Sequence, residues 1–278
     1  FVTGVQTCAL PIFRLITFFA VFAAVAIWEI ATPFRDLSTR KPLRWGRNLG
    51  LLAVDTLIVR VVLPAGAVGA SLLAADRGWG LFNVLAVPPL VAVIGSMLIL
   101  DFAIYVQHII FHAVPALWRM HMVHHADLDF DVTTGTRFHP IEMLLSMLIK
   151  IVMVVLIGAP ALAVLLFELL LNATAMFNHG NIHLPAFIDT PLRWILVTPD
   201  MHRIHHSVKR SECNSNFGFN LPWWDRLFGT YVPEPAAGQE EMILGVSHIR
   251  DERQTLAWLL SLPFVRRTGV YPFGRPKE

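Results

Sequence analysis

Ten of the chain's twelve histidines fall into four short clusters. The clusters are His108-x-x-x-His112, His121-x-x-His124-His125, His179-x-x-x-His183 and His202-x-x-His205-His206. Because residues three or four apart share one face of a helix, each cluster should point two or three imidazoles in one direction. Neutral imidazole is the commonest metal ligand among protein side chains, and ten of them suit two ions with about five or six ligands each. We therefore predict a site for two metal ions.

The composition is typical of an integral membrane protein. Hydrophobic residues make up 55% of the 278 positions, charged residues make up 15%, and the mean hydropathy is +0.58. The net charge is only +2 and no basic stripe is interleaved with aromatic residues, so no nucleic-acid partner is expected. The two cysteines, Cys8 and Cys213, are too few for a disulfide framework or a cysteine-bound iron–sulfur cluster.

Three regions of the chain are expected to differ in origin and role. Residues 2–12 read like the translation of a sequencing-adapter oligonucleotide, and we expect residues 1–12 to be an artefact of that kind. The membrane domain is expected to cover residues 13–232. Residues 233–278 are expected to form a cytoplasmic C-terminal tail, because the chain ends in a basic segment rich in proline and glycine.

Four apolar stretches predict the membrane-spanning helices. Residues 13–30, 49–73 and 81–104 each fit one crossing, which requires about 20 apolar residues. Residues 141–177 are too long for one crossing and are interrupted at Gly158-Ala159-Pro160, so they predict two short spans joined as a hairpin. The sequence thus predicts an all-α fold, an integral membrane helical bundle of about four to five spans with a cytoplasmic helical cap.

Charge predicts which side of the membrane the histidines face. The loop after the first apolar stretch contains Arg35, Arg40, Lys41, Arg44 and Arg47. The next loop has only Arg77 beside Asp76, so the positive-inside rule makes the first loop cytoplasmic. Two further crossings bring His108 to the cytoplasm, and the hairpin returns His179 to the same side. We therefore expect the metal site at the cytoplasmic face of a bacterial inner membrane.

Further motifs surround the histidines. They are Asp101-Phe-x-x-Tyr105-x-x-His108, Arg137-Phe-His139-Pro140, Asn178-His179-Gly-Asn-Ile-His183, Thr198-Pro-Asp-Met-His202, Asn214-Ser-Asn216-Phe-Gly218 and Trp224-Asp-Arg-Leu-Phe-Gly-Thr-Tyr231. With the histidine clusters, they resemble the fatty acid hydroxylase superfamily, also called the sterol desaturase family, of membrane di-iron enzymes. The resemblance covers residues 101–231.

The resemblance implies a set of ligands and of residues that orient them. The eight core ligands would be His108, His112, His121, His124, His125, His202, His205 and His206. His179 and His183 are suggested as further ligands. Asp101 and Tyr105 share one helix face with His108 and His112 and could orient imidazoles, although Asp101 could equally serve as a cap or lie near the membrane surface. The further candidates for orienting imidazoles are His139, Asn178, Asp200 and Asn216. For His139, which precedes a proline, we favour such a role, or a purely structural one, over metal ligation.

The resemblance also implies an activity. Two iron ions, with zinc possible in isolated protein, would use O2 to hydroxylate or desaturate an unactivated C–H bond of a lipid. The sequence has neither a haem-binding His-Pro-Gly-Gly segment nor a flavin or nicotinamide phosphate loop. Electrons are therefore expected from a separate donor of the cytochrome b5, ferredoxin or reductase type.

Other classes of protein also use histidines in membranes. A metal transporter would place ionisable residues within its spans, and here Asp55 and Arg60 are the main examples, which could simply pair with each other. A zinc hydrolase needs only three protein ligands and usually a carboxylate base. A haem-binding electron carrier needs space around each axial histidine, which such dense clusters do not provide.

Overall fold

The computed structural model describes residues 4–250, 254–265 and 267–269, with side chains from residue 12 onward. The longer helices are α1 (Gly4–Ala31), α2 (Lys41–Val62), α3 (Gly66–Asp76), α5 (Pro89–Ala113), α6 (Pro115–His125), α7 (Pro140–Ile157), α8 (Ala161–Asn178) and α14 (Leu256–Val265). The shorter ones are α4 (Leu81–Val84), α9 (Ala186–Leu192), α10 (Pro199–His205), α11 (Arg210–Cys213), α12 (Trp223–Phe228) and α13 (Gly238–Glu241). The described ranges contain no β-strand, only two isolated bridges, so the all-α prediction is confirmed.

Five segments are long and apolar enough to cross a membrane, which agrees with the upper end of the predicted range. They are Ile12–Ala31, Lys41–Val84, Pro89–Ala113, Pro140–Ile157 and Ala161–Asn178. Most of their side chains are not buried within the protein, as expected for helices surrounded by lipid. The chain is therefore a membrane protein.

Two predicted single spans are interrupted, which corrects the sequence-based boundaries. The stretch 49–73 is divided between α2 and α3, because Pro64 follows the last residue of α2 by two positions and cannot donate the next helical hydrogen bond. The stretch 81–104 is divided between α4 and α5. There Pro89 occupies the first turn of α5, where a missing N–H group is tolerated.

The predicted hairpin is present. Helices α7 and α8 are joined by three residues, and Gly158 ends α7 with φ +70°. A side chain at Gly80, which has φ +96°, would come within 2.2 Å of the Gly158 nitrogen. The turn before α4 therefore packs directly onto the hairpin tip because both positions lack a Cβ. The Ser71 hydroxyl adds a hydrogen bond of 2.5 Å to the Ala159 carbonyl at the same place.

The predicted basic loop is partly helical, because α2 begins at Lys41. Arg44 is buried in this helix and forms ion pairs with Asp127 and Asp131, which follow α6. Its Nε donates to Asp127 Oδ1 at 2.8 Å. Although burial opposes it, the positive charges of Arg44 and Arg137 hold the pKa of Asp127 near 2. This buried ion cluster joins the start of α2 to the segment after α6.

A cap of short helices follows α8. Helix α14 packs against α6 and α2, where Leu259 and Leu262 bury their side chains with Trp118 and Met122 of α6. The domain boundary at residue 232 remains a prediction, but the described residues after it include part of this core. The basic end predicted to be a loose tail lies mainly outside the described residues, as do the first three positions of the expected adapter segment.

Candidate metal centre

Four helices bring the clustered histidines together. His108 and His112 lie in the last two turns of α5, and α6 turns back immediately at Pro115. His121, His124 and His125 lie in the last turn of α6. His179 caps the end of α8, while His202 and His205 lie in α10, which His206 caps. The hairpin of α7 and α8 therefore returns the chain to the same end of the bundle, as the sequence predicts.

Nine of these histidines form two groups that could each hold an ion. The first group consists of His108, His112, His121, His125 and His205. The second consists of His124, His179, His202 and His206. Within each group the possible ligand atoms lie within 4.8 Å of one another. All nine residues are buried.

The spacing of the imidazole nitrogens fits bound metal. In the first group, Nε2 of His121 lies 3.1 Å from Nε2 of His108 and 3.2 Å from Nε2 of His125. In the second, Nε2 of His179 lies 3.1 Å from Nε2 of His202. Two nitrogens bound to one ion at about 2.0–2.1 Å are separated by about 3.0–3.4 Å, depending on the coordination geometry.

Two further nitrogens fit the same interpretation. The Nε2 atoms of His205 and His206 are buried without a hydrogen-bond partner. A buried polar atom without a partner is unfavourable, and an ion in each group would provide one. The residues present therefore fit two bound metal ions.

Burial keeps the imidazoles neutral, which is the form that binds metal. It lowers the pKa of His121 to about 3 and that of His179 to about 4. Burial, together with the neighbouring histidines, also lowers the pKa well below 6.5 for His124, His125, His202, His205 and His206. No proton therefore has to be displaced from these nitrogens near neutral pH.

Backbone carbonyls fix the orientation of several rings. The Nδ1 atom lies 2.8 Å from the Phe217 carbonyl in His108, and 2.7 Å from the Ser215 carbonyl in His205. In His179 it lies 2.7 Å from the carbonyl of Ala175, one turn earlier in α8. A proton on Nδ1 that donates to a carbonyl leaves the Nε2 lone pair free for metal.

Two side chains that sequence reasoning missed perform the same task. Glu142 Oε1 accepts a 2.6 Å hydrogen bond from Nδ1 of His121. Asn214 Oδ1 accepts one of 3.1 Å from Nδ1 of His112. The signal for Glu142 was a carboxyl group in the first turn of an apolar helix, two residues after Pro140. The signal for Asn214 was its place in the motif Asn214-Ser-Asn216-Phe-Gly218.

Asp101 and Tyr105, which were predicted to orient imidazoles, form hydrogen bonds with residues of the cap. Asp101 accepts hydrogen bonds of 2.7 Å from Asn220 and from Trp224. Tyr105 shares a hydrogen bond of 2.9 Å with Thr230. These contacts join α5 to α12 and its flanking loops, and the loop before α12 carries the Phe217 carbonyl. Their effect on the imidazoles is therefore indirect.

The other predicted orienting residues also contact backbone or charged groups. Asn178 donates to the Phe219 carbonyl at 3.1 Å, and Asn216 donates to the Met201 carbonyl at 2.9 Å. Asp200 binds Arg203 at 2.6 Å. His139 caps α7, where its Nδ1 accepts a 3.2 Å hydrogen bond from the Ile141 backbone. His139 is in neither histidine group, and its structural role stays a prediction.

His183 lies in neither group. Its Nδ1 is 2.6 Å from Asp200 Oδ2, its ring stacks on Phe34, and about half of its side chain is exposed. The loop Gly180-Asn181-Ile182 separates it from His179, so the two histidines do not share a helical face. The structure thus brings together nine of the ten expected ligands.

A cavity of about 180 Å³ opens beside the first group, and it is called the bundle cavity below. It reaches His108 and His121 and continues between α2, α5, α7 and α8. Its wall is mainly apolar and includes Phe111, Met147 and Leu171. Asp55 is buried and lines it, whereas Arg60 is exposed, so these two residues of α2 do not form the pair that the sequence allowed.

Comparison with known proteins agrees with this site. The family model described as fatty acid hydroxylase matches residues 93–230, which include all nine grouped histidines. Alkylglycerol monooxygenase of Xenopus tropicalis is 33% identical over 53% of this chain and 31% of its own length. Ornithine lipid hydroxylase OlsE of Rhizobium tropici is 32% identical over 67% of this chain and 54% of its own length. Human cholesterol 25-hydroxylase is 26% identical over 48% of each chain.

These similarities have a limited extent. The matched part of this chain spans between 31% and 54% of the length of the relatives named above. No solved structure matches the chain.

Proposed function

The chain belongs to the fatty acid hydroxylase family, and from that premise we propose that it is a membrane-bound oxygenase that hydroxylates an unactivated C–H bond of a lipid with O2. The observation that carries the proposal is the pair of buried groups of neutral imidazoles beside a mainly apolar cavity. Relatives named as monooxygenases and hydroxylases of lipids favour hydroxylation over desaturation.

We propose iron as the metal in both groups. His108, His112, His121, His125 and His205 would hold one ion, and His124, His179, His202 and His206 the other. Because an all-nitrogen ligand set also suits zinc, isolated protein could carry zinc instead. Bound iron would supply the activation of O2 and the oxidation of the lipid. His183 is omitted from this ligand set because Asp200 and Phe34 hold it elsewhere.

The chain's own residues bind and align the reactants. Burial keeps the imidazoles unprotonated, and the carbonyls of Phe217, Ser215 and Ala175 hold the rings in place. The apolar side chains of the bundle cavity would hold the lipid and keep bulk water away from the first group. Positioning of the target carbon is thus the protein's contribution, and the oxidation itself is the metal's.

We propose that residues 13–232 contain the catalytic domain and that the site faces the cytoplasm of a bacterial inner membrane. The basic residues Arg35 and Arg40 before α2 support this orientation, because positive charge is retained on the cytoplasmic side. The similarity to the ornithine lipid hydroxylase of the bacterium Rhizobium tropici supports a bacterial source for this chain. Electrons would come from a separate donor of the cytochrome b5, ferredoxin or reductase type.

The test compares the lipids of a bacterial host that expresses the chain with those of a host that expresses His205→Ala, under ¹⁸O-labelled O2. The proposal predicts a lipid with one labelled hydroxyl group only in the host with the unaltered protein. A new double bond without label would show a desaturase. No change in any lipid, with the metal-loaded protein present in the membrane and a donor supplied, would refute the proposal.

A further inference from the structure

The bundle cavity is not lined by apolar groups alone. Asp55 of α2, Gln107 of α5 and Glu142 of α7 reach it from three different helices. Each has one buried oxygen atom without a hydrogen-bond partner, namely Asp55 Oδ1, Gln107 Oε1 and Glu142 Oε2. Oxygen atoms from three helices therefore line one cavity without a hydrogen-bond partner among the described residues.

Two donors at the cavity wall already have partners. Lys150 is bound to Glu168, with its Nζ 3.2 Å from Oε1. The Gln107 amide nitrogen donates to the Ser146 hydroxyl at 2.8 Å. Among the described residues that line the cavity, the unpartnered buried side-chain atoms are all acceptors. The chemical complement of such a wall is a hydrogen-bond donor or a cation.

Asp55 is the most informative of the three residues. It is only 2% exposed, and the described structure gives its carboxyl group no ion pair or hydrogen bond. A lipid segment made only of hydrocarbon would leave this carboxyl group buried and unpaired, which is unfavourable. A carboxyl group within a membrane bundle is a functional feature by default, because its burial must be compensated.

We propose that the bundle cavity binds a lipid that carries a hydroxyl or amino group close to the oxidised carbon, and that Asp55 recognises this donor. The substrate class is then an amphiphile whose donor-bearing end enters the cavity beside the first histidine group, and not an unsubstituted acyl tail. Gln107 offers a second acceptor from the opposite helix. This inference rests on the proposed function, because it assumes that the cavity holds the substrate.

The test measures binding and turnover separately on purified, iron-loaded protein in detergent, and the turnover assay is supplied with O2 and a chemical reductant as the source of electrons. The probes are a long-chain 1,2-diol, its dimethyl ether, which has the same chain but no donor, and a long-chain primary amine. The variants are Asp55→Asn and Asp55→Leu. Asp76→Asn is the matched control, because its side chain is 80% exposed in α3, the helix that follows α2.

The unaltered protein should bind the diol or the amine roughly tenfold more tightly than the ether, as expected for one buried hydrogen bond. Tighter binding of the amine than of the diol would show that Asp55 recognises a cation. Tighter binding of the diol would show that it recognises a neutral hydrogen-bond donor. Asp55→Leu should abolish the preference for the diol or the amine over the ether without changing the iron content. Asp55→Asn should reduce this preference. Asp76→Asn should match the unaltered protein.

Asp55→Leu should also leave the melting temperature unchanged or raise it, because an apolar side chain removes an unpaired buried carboxyl group. A lower melting temperature in both Asp55 variants, with the binding preference unchanged, would show that the residue is structural and overturn the inference. Equal binding of diol and ether by the unaltered protein would also overturn it. Equal binding of the two probes together with oxidation of both would leave the proposed function standing. Tighter binding of the diol or the amine without oxidation of any probe would refute only the proposed function.

Discussion

Nδ1 of His121 lies 2.6 Å from Oε1 of Glu142, and both side chains are almost completely buried. His121 is in the last turn of α6, and Glu142 is in the first turn of α7. The hydrogen bond therefore fixes the imidazole from the side opposite to its Nε2 atom, which lies among the other nitrogens of the first group. A carboxylate in this position sets the tautomer of a metal-binding histidine and strengthens it as a ligand.

The first prediction follows from this pair. Glu142→Gln should weaken metal binding by the first group about 10–100-fold, because a neutral amide orients and polarises the imidazole less well than a carboxylate. The measurement is a competition between the purified protein and a chelator of known affinity. Glu240→Gln, at an exposed position of α13, is the control. Unchanged metal affinity in Glu142→Gln would mean that the hydrogen bond does not support the metal.

The second prediction separates His183 from the nine grouped histidines. His205→Ala should lose metal and activity while still inserting in the membrane, because its Nε2 is a buried atom of the first group. His183→Ala should keep the metal content of the unaltered protein, because its imidazole is held by Asp200 and Phe34. Metal analysis of the two purified variants checks both parts. Loss of metal in His183→Ala would make it a ligand after all.

Much of the fold could be predicted because it depends on local patterns. Apolar length located the crossings, and the interruption at Gly158 located the hairpin. The spacing of His108 and His112 placed both on one face of α5. In each of these cases the signal lies within a few consecutive residues, and the bilayer or the helix supplies the geometry.

The parts that could not be predicted depend on distances between segments far apart in the chain. His205 joins the first group and the adjacent His206 joins the second, which depends on how α10 packs against α8. Glu142 was missed for the same reason, since its partner lies 21 residues earlier in another helix. His183 was expected as a ligand because of its spacing, but the chain leaves the helix at His179.

The third prediction concerns the buried ion cluster. Arg44→Met should lower the free energy of unfolding by about 3–5 kcal/mol, because it leaves Asp131 buried without an ion-pair partner and Asp127 with only the more distant Arg137, 3.8 Å away. Thermal or denaturant unfolding in detergent measures the loss. Arg40→Met, at an exposed position just before α2, should change little and serves as the control. Equal stability of the two variants would contradict the role given to Arg44.

The fourth prediction is a loss of stability in acid. The pKa of His179 is about 4 in the folded protein because burial lowers it from 6.5. Between these values the unfolded chain takes up a proton that the folded chain does not, so the free energy of unfolding falls as the pH falls. His121, whose pKa burial lowers to about 3, continues the trend. The melting temperature of metal-free protein should therefore decrease from pH 6.5 towards pH 4. A flat or rising profile would contradict this account.

The proposed function requires that the chain hold two metal ions, one in each histidine group. The most direct test is the metal-to-protein ratio of purified protein after anaerobic loading with ferrous iron and removal of free metal. We expect two irons per chain, with a reduced ratio in His205→Ala from the first group and in His206→Ala from the second. A ratio of one or less in the unaltered, folded protein would contradict it.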